Sequence, residues 1–248
     1  MFAPPALPAT PEHLLAHAEN HLIELLPRRD RQRLLALAEP VQLEIGELLS
    51  EPGQLASHVY FPVDGFVSMV TRIDDQAVLE VGMVGREGML GTHLALGVDR
   101  TPLQVRVQGA GASWRFGRTA FRAELARCAP LQQVVDRYLD VRMAQLASAV
   151  ACQRFHLIVP RLARWLLMCQ DRAHANHIHL THETVASMLG VRRVGITVAA
   201  GLLQRNGLIE YRRGELRVLD RRRLKATACS CYALDRRVYI DRLGRSPA

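Results

Sequence analysis

Residues 181–203 read THETVASMLGVRRVGITVAAGLL, and this stretch decides the fold of the C-terminal part of the chain. The hydroxyl of Thr181 suits the cap of a first helix. Val185 and Leu189 are four residues apart and form the buried stripe of that helix. Gly190 then supplies the left-handed residue that ends it. The pattern predicts a helix, a tight turn and a second helix.

The second helix is anchored by Val191 and Ile196 and leaves a polar and basic face outward. That face consists of Arg192, Arg193, Val194, Thr197, Val198 and Gly201. In a helix-turn-helix protein, the outward face of the second helix enters the DNA major groove. An ordinary helical hairpin of an all-helical core remains the alternative on this local pattern.

The residues after the second helix favour the DNA-binding alternative. Asn206-Gly207 ends the second helix, and Leu208 and Ile209 follow it. Apolar and polar residues then alternate over residues 210–219 as in two short strands joined at Arg213-Gly214. We therefore predict a winged helix in which Arg193 faces base edges, while Thr181 and the two wing-tip arginines face phosphate. The predicted DNA-binding residues are Thr181, Arg192, Arg193, Thr197, Arg205, Arg212 and Arg213.

Charge is distributed unevenly along the chain. Residues 156–248 contain 17 basic and seven acidic residues, a net charge of +10, whereas the remainder carries −2 of the total of +8. A basic C-terminal third is typical of a phosphate-binding module attached to a sensor or scaffold. Double-stranded DNA is therefore the predicted partner.

Composition bounds the class of protein. The chain has 248 residues, 49% of them hydrophobic, which allows two domains with cores and excludes a largely disordered protein. No stretch is apolar enough to span a bilayer and no signal peptide is evident, so we expect a cytoplasmic protein without a membrane partner. Five cysteines, an odd number, do not suggest a disulfide framework.

The N-terminal half changes from helical to strand periodicity. Residues 11–38 predict two helices separated after Pro27. Alternating apolar residues then predict several short strands punctuated by glycine, at 41–45, 58–71, 77–84 and 103–116. Short strands at this spacing indicate an antiparallel sandwich or jelly roll, which makes the chain an α+β protein.

A long helix is predicted after Pro130 and continues to Phe155. Its apolar residues recur on one stripe, and a helix that joins two domains has nothing else to pack on along its whole length. Homodimerisation through this helix is the interpretation that two-fold DNA half-sites also favour. The alternative is that the helix packs only on its own barrel.

This arrangement resembles the Crp/Fnr superfamily of bacterial transcription regulators. The blocks that carry the resemblance are residues 51–53, 59–65, 161–167, 180–203 and 207–209. The resemblance implies a cyclic-nucleotide-binding-like sensor barrel with N-terminal helices over 1–125, a dimerisation helix over 126–156, and a winged helix with a C-terminal tail over 157–248. It also implies a homodimer on an inverted-repeat promoter site, contact with RNA polymerase and a small-molecule effector.

Two departures from the family pattern matter. Members that read the conventional target place Arg, Glu and Arg on the recognition helix, whereas here Val194 and Val198 follow Arg193, so a different DNA sequence is expected.

The effector-binding candidates are Glu87, Arg100 and Thr101. In the cyclic-nucleotide binders of the family a glycine and a glutamate are adjacent, whereas here one extra residue separates Glu87 from the glycine before it. Pro102 also lacks a backbone N–H donor. Tight cyclic AMP binding is therefore not expected. A cyclic-nucleotide-responsive regulator that uses Glu87 and Arg100 remains the alternative.

A cupin-like metal enzyme is the rival class. Its metal would need closely spaced histidine and carboxylate ligands, and the barrel offers only His58 and His93, which are far apart in sequence. We therefore predict no enzyme, no catalytic residues, no metal and no cofactor; the N-terminal cysteines of the iron–sulfur members are missing. Cys229-Ser-Cys231 forms a possible half-site, but with no matching pair in the sequence the thiols are expected to be free, and the histidines of residues 174–182 are left without a role.

Overall fold

The computed structural model describes residues 20–73, 77–173, 177–179, 181–212 and 214–244. Two short helices, α1 (His21–Glu24) and α2 (Arg28–Leu35), come first, separated at Pro27 as predicted. The predicted helical residues before 20 lie outside the described residues. Strands follow at β1 (Glu39–Leu43), β2 (Leu48–Ser50), β3 (His58–Pro62), β4 (Phe66–Ile73) and β5 (Ala77–Val84), then helix α3 (Thr92–Ala95), β6 (Gln104–Gly109) and β7 (Gly111–Gly117).

The seven strands form two antiparallel sheets. One sheet has the order β1-β7-β3 and the other β2-β6-β4-β5. The aromatic rings of Phe61 and Phe116, on neighbouring strands of the first sheet, meet edge to face with centroids 5.3 Å apart. This confirms the predicted antiparallel barrel and the α+β class; β2 and α3 were not predicted.

The C-terminal half is mostly helical. Its elements are α4 (Arg118–Arg127), α5 (Ala129–Phe155), α6 (Ile158–Ala173), β8 (His177–His179), α7 (His182–Leu189), α8 (Arg193–Arg205), β9 (Ile209–Arg212), β10 (Glu215–Val218), α9 (Arg221–Thr227) and α10 (Cys231–Leu243). The expected C-terminal tail is thus two helices. The predicted long helix is α5, with 27 residues.

Helix α5 has more to pack on than its sequence suggested. Its first half buries Leu131, Val135 and Tyr138 in one core with the barrel and with the end of α10. The hydroxyl of Tyr239, on α10, donates to the backbone oxygen of Glu87 at 2.7 Å. The start of α10 also meets the second half of α5, where Sγ of Cys231 contacts the backbone oxygen of Ser148. The premise that this helix lacks a partner along its whole length is therefore wrong, because α10 was not foreseen.

The winged-helix part docks directly on the barrel. Phe66 and Met83 from β4 and β5 share a core with Leu162 and Leu166 of α6 and with the helix-turn-helix. A Cβ on Gly85 would lie 2.8 Å from the side chain of Arg172 on α6, so only glycine allows this approach. The two halves of the chain thus share one apolar interface.

Within the described ranges, no single helix is long and apolar enough to cross a membrane. Helices α7 and α8 reach that length and composition only when they are taken together as a bent pair.

Candidate nucleic-acid interface

The helix-turn-helix forms as predicted. The Thr181 hydroxyl accepts a hydrogen bond from the Thr184 amide at 3.1 Å and caps α7. Gly190 ends α7 with φ of 60°, the left-handed conformation that glycine adopts without steric cost. The axes of α7 and α8 bend by 108°, within the range typical of this motif.

The apolar side of helix α8 packs on the core, and the opposite side is exposed to solvent. Ile196, Ala199 and Leu203 are buried in the common core. The opposite face is exposed, including Val194 and Val198 at 65% and 63%. The exposed residues of this recognition face are Arg192, Arg193, Val194, Thr197 and Val198, and Gly201 is half-buried. In the single chain, no other described part of the protein covers this face, so it is free to enter a DNA groove.

Arg193 stands at the first position of α8 and remains largely solvated. Its side chain is 71% exposed, and its Nε lies 4.0 Å from the carboxylate of Glu183, a distance at which an exposed ion pair holds the side chain weakly. Because the ion pair is weak, the guanidinium is able to turn toward a base edge. Arg205, in the last turn of the same helix, is also exposed.

Thr197 is held by a small polar cluster at the centre of the face. Its hydroxyl lies 3.1 Å from Nδ1 of His182 and donates to the backbone oxygen of Arg193 at 3.2 Å. The His182 ring stacks on Tyr211 of β9 with centroids 4.4 Å apart. Burial, followed by the nearby Arg193 charge, lowers the pKa of His182, so this imidazole is neutral near pH 7. His182 therefore orders the face rather than adding charge to it.

The wing is a three-stranded antiparallel sheet of order β8-β10-β9. Strands β9 and β10 are the two predicted strands. Strand β8 adds an outer strand from the histidine-rich segment, where no strand was predicted. Arg212 is exposed at the end of β9. Arg213, the other predicted wing-tip residue, lies outside the described residues.

A half-buried carboxylate links the barrel to the DNA-binding part. Glu80 of β5 accepts a hydrogen bond from Nε1 of Trp165 on α6 at 2.9 Å and another from the Ser68 hydroxyl. Enclosure between the two domains raises the pKa of Glu80 to about 7, although both hydrogen bonds and the charges of Arg172 and Arg164 act in the opposite direction.

The three effector candidates do not meet in one site. Glu87 pairs with Arg172 of α6, Nε to Oε1 at 2.8 Å, and so joins the domain interface. The Arg100 guanidinium donates to the backbone oxygen of Gly53 at 2.6 Å on the surface. Only Thr101 lines the cavity of the barrel. The predicted ribose and phosphate contacts are thus separated.

The barrel cavity has a volume of about 140 Å³ and is lined by both histidines of the rejected cupin alternative, His58 and His93. Burial is the main cause that lowers the pKa of each histidine, assisted by a neighbouring arginine. Nε2 of His93 is buried without a hydrogen-bond partner among the described residues. The described lining includes no arginine, lysine, aspartate or glutamate.

Sequence reasoning missed one group of residues. Cys152 and His156, at the end of α5, lie beside Cys229 and Cys231, and the four potential ligand atoms are all within 4.8 Å of one another. The expectation that Cys229 and Cys231 have no matching pair is wrong, because folding supplies one from α5. The only signal in the sequence was the i, i+4 spacing of Cys152 and His156 at the end of the long helix.

Comparisons with known proteins agree with this geometry. The family model for the Crp-like helix-turn-helix domain matches residues 160–227. No curated protein matches the sequence. The predicted resemblance is confirmed by sequence for residues 160–227, and most of the chain shares its fold with the solved structures that follow.

Solved structures cover most of the chain at low identity. A protein described as a transcriptional regulator of the Crp/Fnr family, from Eubacterium rectale, is 16% identical with a TM-score of 0.66 over 85% of this chain and 99% of its own. FixK2 from Bradyrhizobium japonicum is 14% identical, with a TM-score of 0.66 over 78% of this chain and 98% of its own. A Crp/Fnr-family regulator from Thermus thermophilus is 20% identical, with a TM-score of 0.64 over 77% and 98%. The prediction that the chain is not an enzyme agrees with these descriptions.

Proposed function

We propose that this protein, a Crp/Fnr-type transcription regulator by its helix-turn-helix sequence and its fold, is a cytoplasmic homodimer that binds an inverted-repeat promoter site. The observation that carries the proposal is the recognition face of α8, which is seated from behind by Ile196 and Leu203 and exposed in front. Residues 1–125 act as sensor, 126–156 as dimerisation helix and 157–248 as DNA-binding domain, and bound dimers would contact RNA polymerase.

The second half of α5 supports the dimer. There Met143, Leu146 and Val150 are 65%, 41% and 72% exposed, and their spacing of three and four residues places them on one side of the helix. Leu157, just beyond the helix, is 80% exposed. An apolar stripe of this kind on a long helix can pack against the same stripe of a second copy of the chain, related by a two-fold axis.

The chemistry of the recognition face suggests how the site is read. Arg193 offers two donors to guanine O6 and N7, whereas Val194 and Val198 offer apolar contact to thymine methyl groups. Thr181, Arg192, Thr197, Arg205 and the wing arginines Arg212 and Arg213 supply contacts to the backbone. The preferred half-site therefore contains guanine beside thymine rather than the conventional family sequence.

Selection of bound duplexes from a random pool tests this proposal. We expect an inverted repeat with half-site centres about one helical turn apart, ~34 Å, and a dimer by light scattering at micromolar concentration. A stable monomer at that concentration, or a selected pool without two-fold symmetry, would contradict the proposal.

The barrel cavity is the candidate effector site. Its described lining carries two histidines with lowered pKa and no cationic side chain, so it suits a small uncharged ligand that hydrogen-bonds to His93 rather than a phosphate. The cyclic-nucleotide alternative loses support because Glu87 pairs with Arg172 outside this lining. A thermal-shift screen of small metabolites, repeated on His93→Ala, tests the assignment: stabilisation that survives the substitution would oppose it.

A further inference from the structure

Four potential metal ligands meet where the long helix ends. Cys152 and His156 are separated by one helical turn, so they project from the same side at the end of α5. Cys229 and Cys231 come from the junction between α9 and α10, where the alternate residues of a Cys-Ser-Cys segment both turn toward α5. Sequence separations of 77 and 75 residues are closed by contacts of Cys152 with Cys229 and of His156 with Cys231.

The spacing of the ligand atoms matches one four-coordinate ion. Sγ of Cys152 and Sγ of Cys229 are 3.6 Å apart, and Sγ of Cys231 is 3.5 Å from Nδ1 of His156. A tetrahedral zinc ion with bonds of about 2.3 Å to sulfur and about 2.0 Å to nitrogen sets ligand atoms roughly 3.5–3.8 Å apart. These two of the six separations therefore fit a bound ion, and the other four are at most 4.8 Å.

The surroundings favour a closed structural site. All three cysteines are buried and form a small cluster of their own. Since three cysteines and one histidine complete a tetrahedron, no position remains for water or substrate. A multi-iron cluster would distribute its cysteines over several irons, whereas these four ligand atoms all lie within 4.8 Å of one another.

Nearby cations offset the charge of such a site. Three thiolates around a divalent ion leave one negative charge. The guanidinium groups of Arg161 and Arg164, on α6, lie near enough to the Cys152 and Cys229 sulfurs to interact with them electrostatically. Arg164 is anchored by Asp235 of α10 at 2.6 Å, so its guanidinium is fixed beside the cluster while its own charge is balanced by that carboxylate.

We propose that Cys152, His156, Cys229 and Cys231 bind one zinc-class divalent cation that ties the end of α5 to the α9–α10 junction. The chain turns from α5 into α6 at His156, so the ion spans the hinge between the long helix and the DNA-binding part. Binding stabilises the orientation of that part on α5, because the four ligands come from both sides of the hinge.

Metal analysis of the reduced full-length protein tests the site without any substitution. We expect one zinc per chain after purification and, in chelator-stripped protein, one equivalent of Co²⁺ bound with the visible bands of a tetrahedral thiolate complex. Absence of stoichiometric zinc together with absence of that spectrum would overturn the proposal. A Cys152–Cys229 disulfide as the persistent state of freshly isolated protein, with no metal bound, would also overturn it.

Cysteine variants locate the site. Cys229→Ser and Cys231→Ser each should lose the stoichiometric metal and the cobalt spectrum. Cys169→Ser, which changes another buried cysteine outside the cluster, should keep both and serves as the matched control. Equal metal content in Cys229→Ser and in the control would contradict the assignment. Because DNA is not part of these measurements, their outcome is independent of the proposed promoter binding.

Discussion

At the scale of single residues, the side chains that we propose to face DNA divide into two groups by position. Arg193 begins the recognition helix, where side chains reach deepest into a groove, whereas Arg212 lies at the end of a wing strand. A bidentate arginine–guanine contact discriminates between bases, but an arginine–phosphate contact strengthens all duplexes alike.

Arg193→Ala should therefore reduce the preference for the selected duplex over a scrambled one by about 1 to 3 kcal/mol. Fluorescence anisotropy with both duplexes measures this difference. Thr184→Ala, at a half-buried position of the neighbouring helix, is the control and should leave the preference intact. An equal weakening of both duplexes by Arg193→Ala would show that this residue does not read bases.

The double variant Arg212→Ala with Arg213→Ala should behave differently. Both duplexes should weaken about equally, because phosphate contacts carry no sequence information. The slope of log affinity against log salt should become shallower by about one unit per lost contact, or about two in total. A titration at several salt concentrations gives this slope, and an unchanged slope would remove the wing from the phosphate-binding surface.

The barrel cavity leads to a prediction about nucleotides. With Arg100 bonded to the backbone of Gly53 and Glu87 bonded to Arg172, cyclic AMP meets no charged partner in the described lining. Calorimetry with cyclic AMP and cyclic GMP should give no binding with a micromolar dissociation constant. Micromolar binding that Arg100→Ala abolishes would restore the cyclic-nucleotide alternative.

At the scale of elements, the two halves of helix α5 differ in what surrounds them. Its first half is part of the chain's own core through Leu131 and Tyr138, whereas its second half exposes the Met143–Val150 stripe. The stripe begins where contact with the barrel core ends; in the second half the start of α10 covers only the opposite side of the helix, where Ser148 and Cys152 are buried. The exposed part is thus the segment that can pack against a second copy of the chain.

Charge placed on this stripe should break the dimer. Met143→Glu with Val150→Glu puts carboxylates at the centre of an apolar contact, where an unpaired charge costs several kcal/mol. Light scattering should then report a monomer, and affinity for the inverted repeat should fall at least about tenfold because the second half-site no longer contributes. Gln133→Glu adds the same charge at an exposed position of α5 off the stripe and should remain dimeric. A dimer in the stripe variant would place the interface elsewhere.

At the scale of the whole molecule, the domain interface contains a group that titrates near neutral pH. The pKa of Glu80 is raised from 4.5 to about 7, chiefly by burial. The folded protein therefore binds this proton more tightly than the unfolded chain. The stabilisation that follows is complete below about pH 4.5 and is lost as pH rises to about 7.

Glu80→Gln should remove this pH dependence, since the amide is uncharged at every pH and keeps an acceptor for Trp165. The Tm of the variant minus the Tm of the wild type should increase by roughly 5 °C from pH 5 to pH 8. The comparison with wild type cancels the opposite contribution of His58 and His93, whose lowered pKa values favour higher pH. Glu39→Gln, an exposed carboxylate 62% accessible, is the control and should show no such rise. A constant difference in Tm across this range would mean that Glu80 does not titrate there.

Local signals in the sequence were sufficient for the helix-turn-helix, the wing and the alternation of the barrel strands. Thr181, Gly190 and the apolar spacing of α7 and α8 act within one or two helical turns, so each could be read without knowing the rest of the chain. The family resemblance rested on five blocks along the chain, of which residues 180–203 lie in this segment, and both the family match and the fold agree with it. The basic charge of the last third was likewise visible in composition alone.

Only the tertiary structure decided which distant residues meet. It separated Glu87 from the cavity by pairing it with Arg172, 85 residues later, and it brought Cys152 to Cys229 across 77 residues. It also laid α10 against the long helix and enclosed Glu80 between two domains. Pattern and propensity describe interactions over a few residues, whereas these contacts depend on how complete elements pack, and no local spacing encodes that packing.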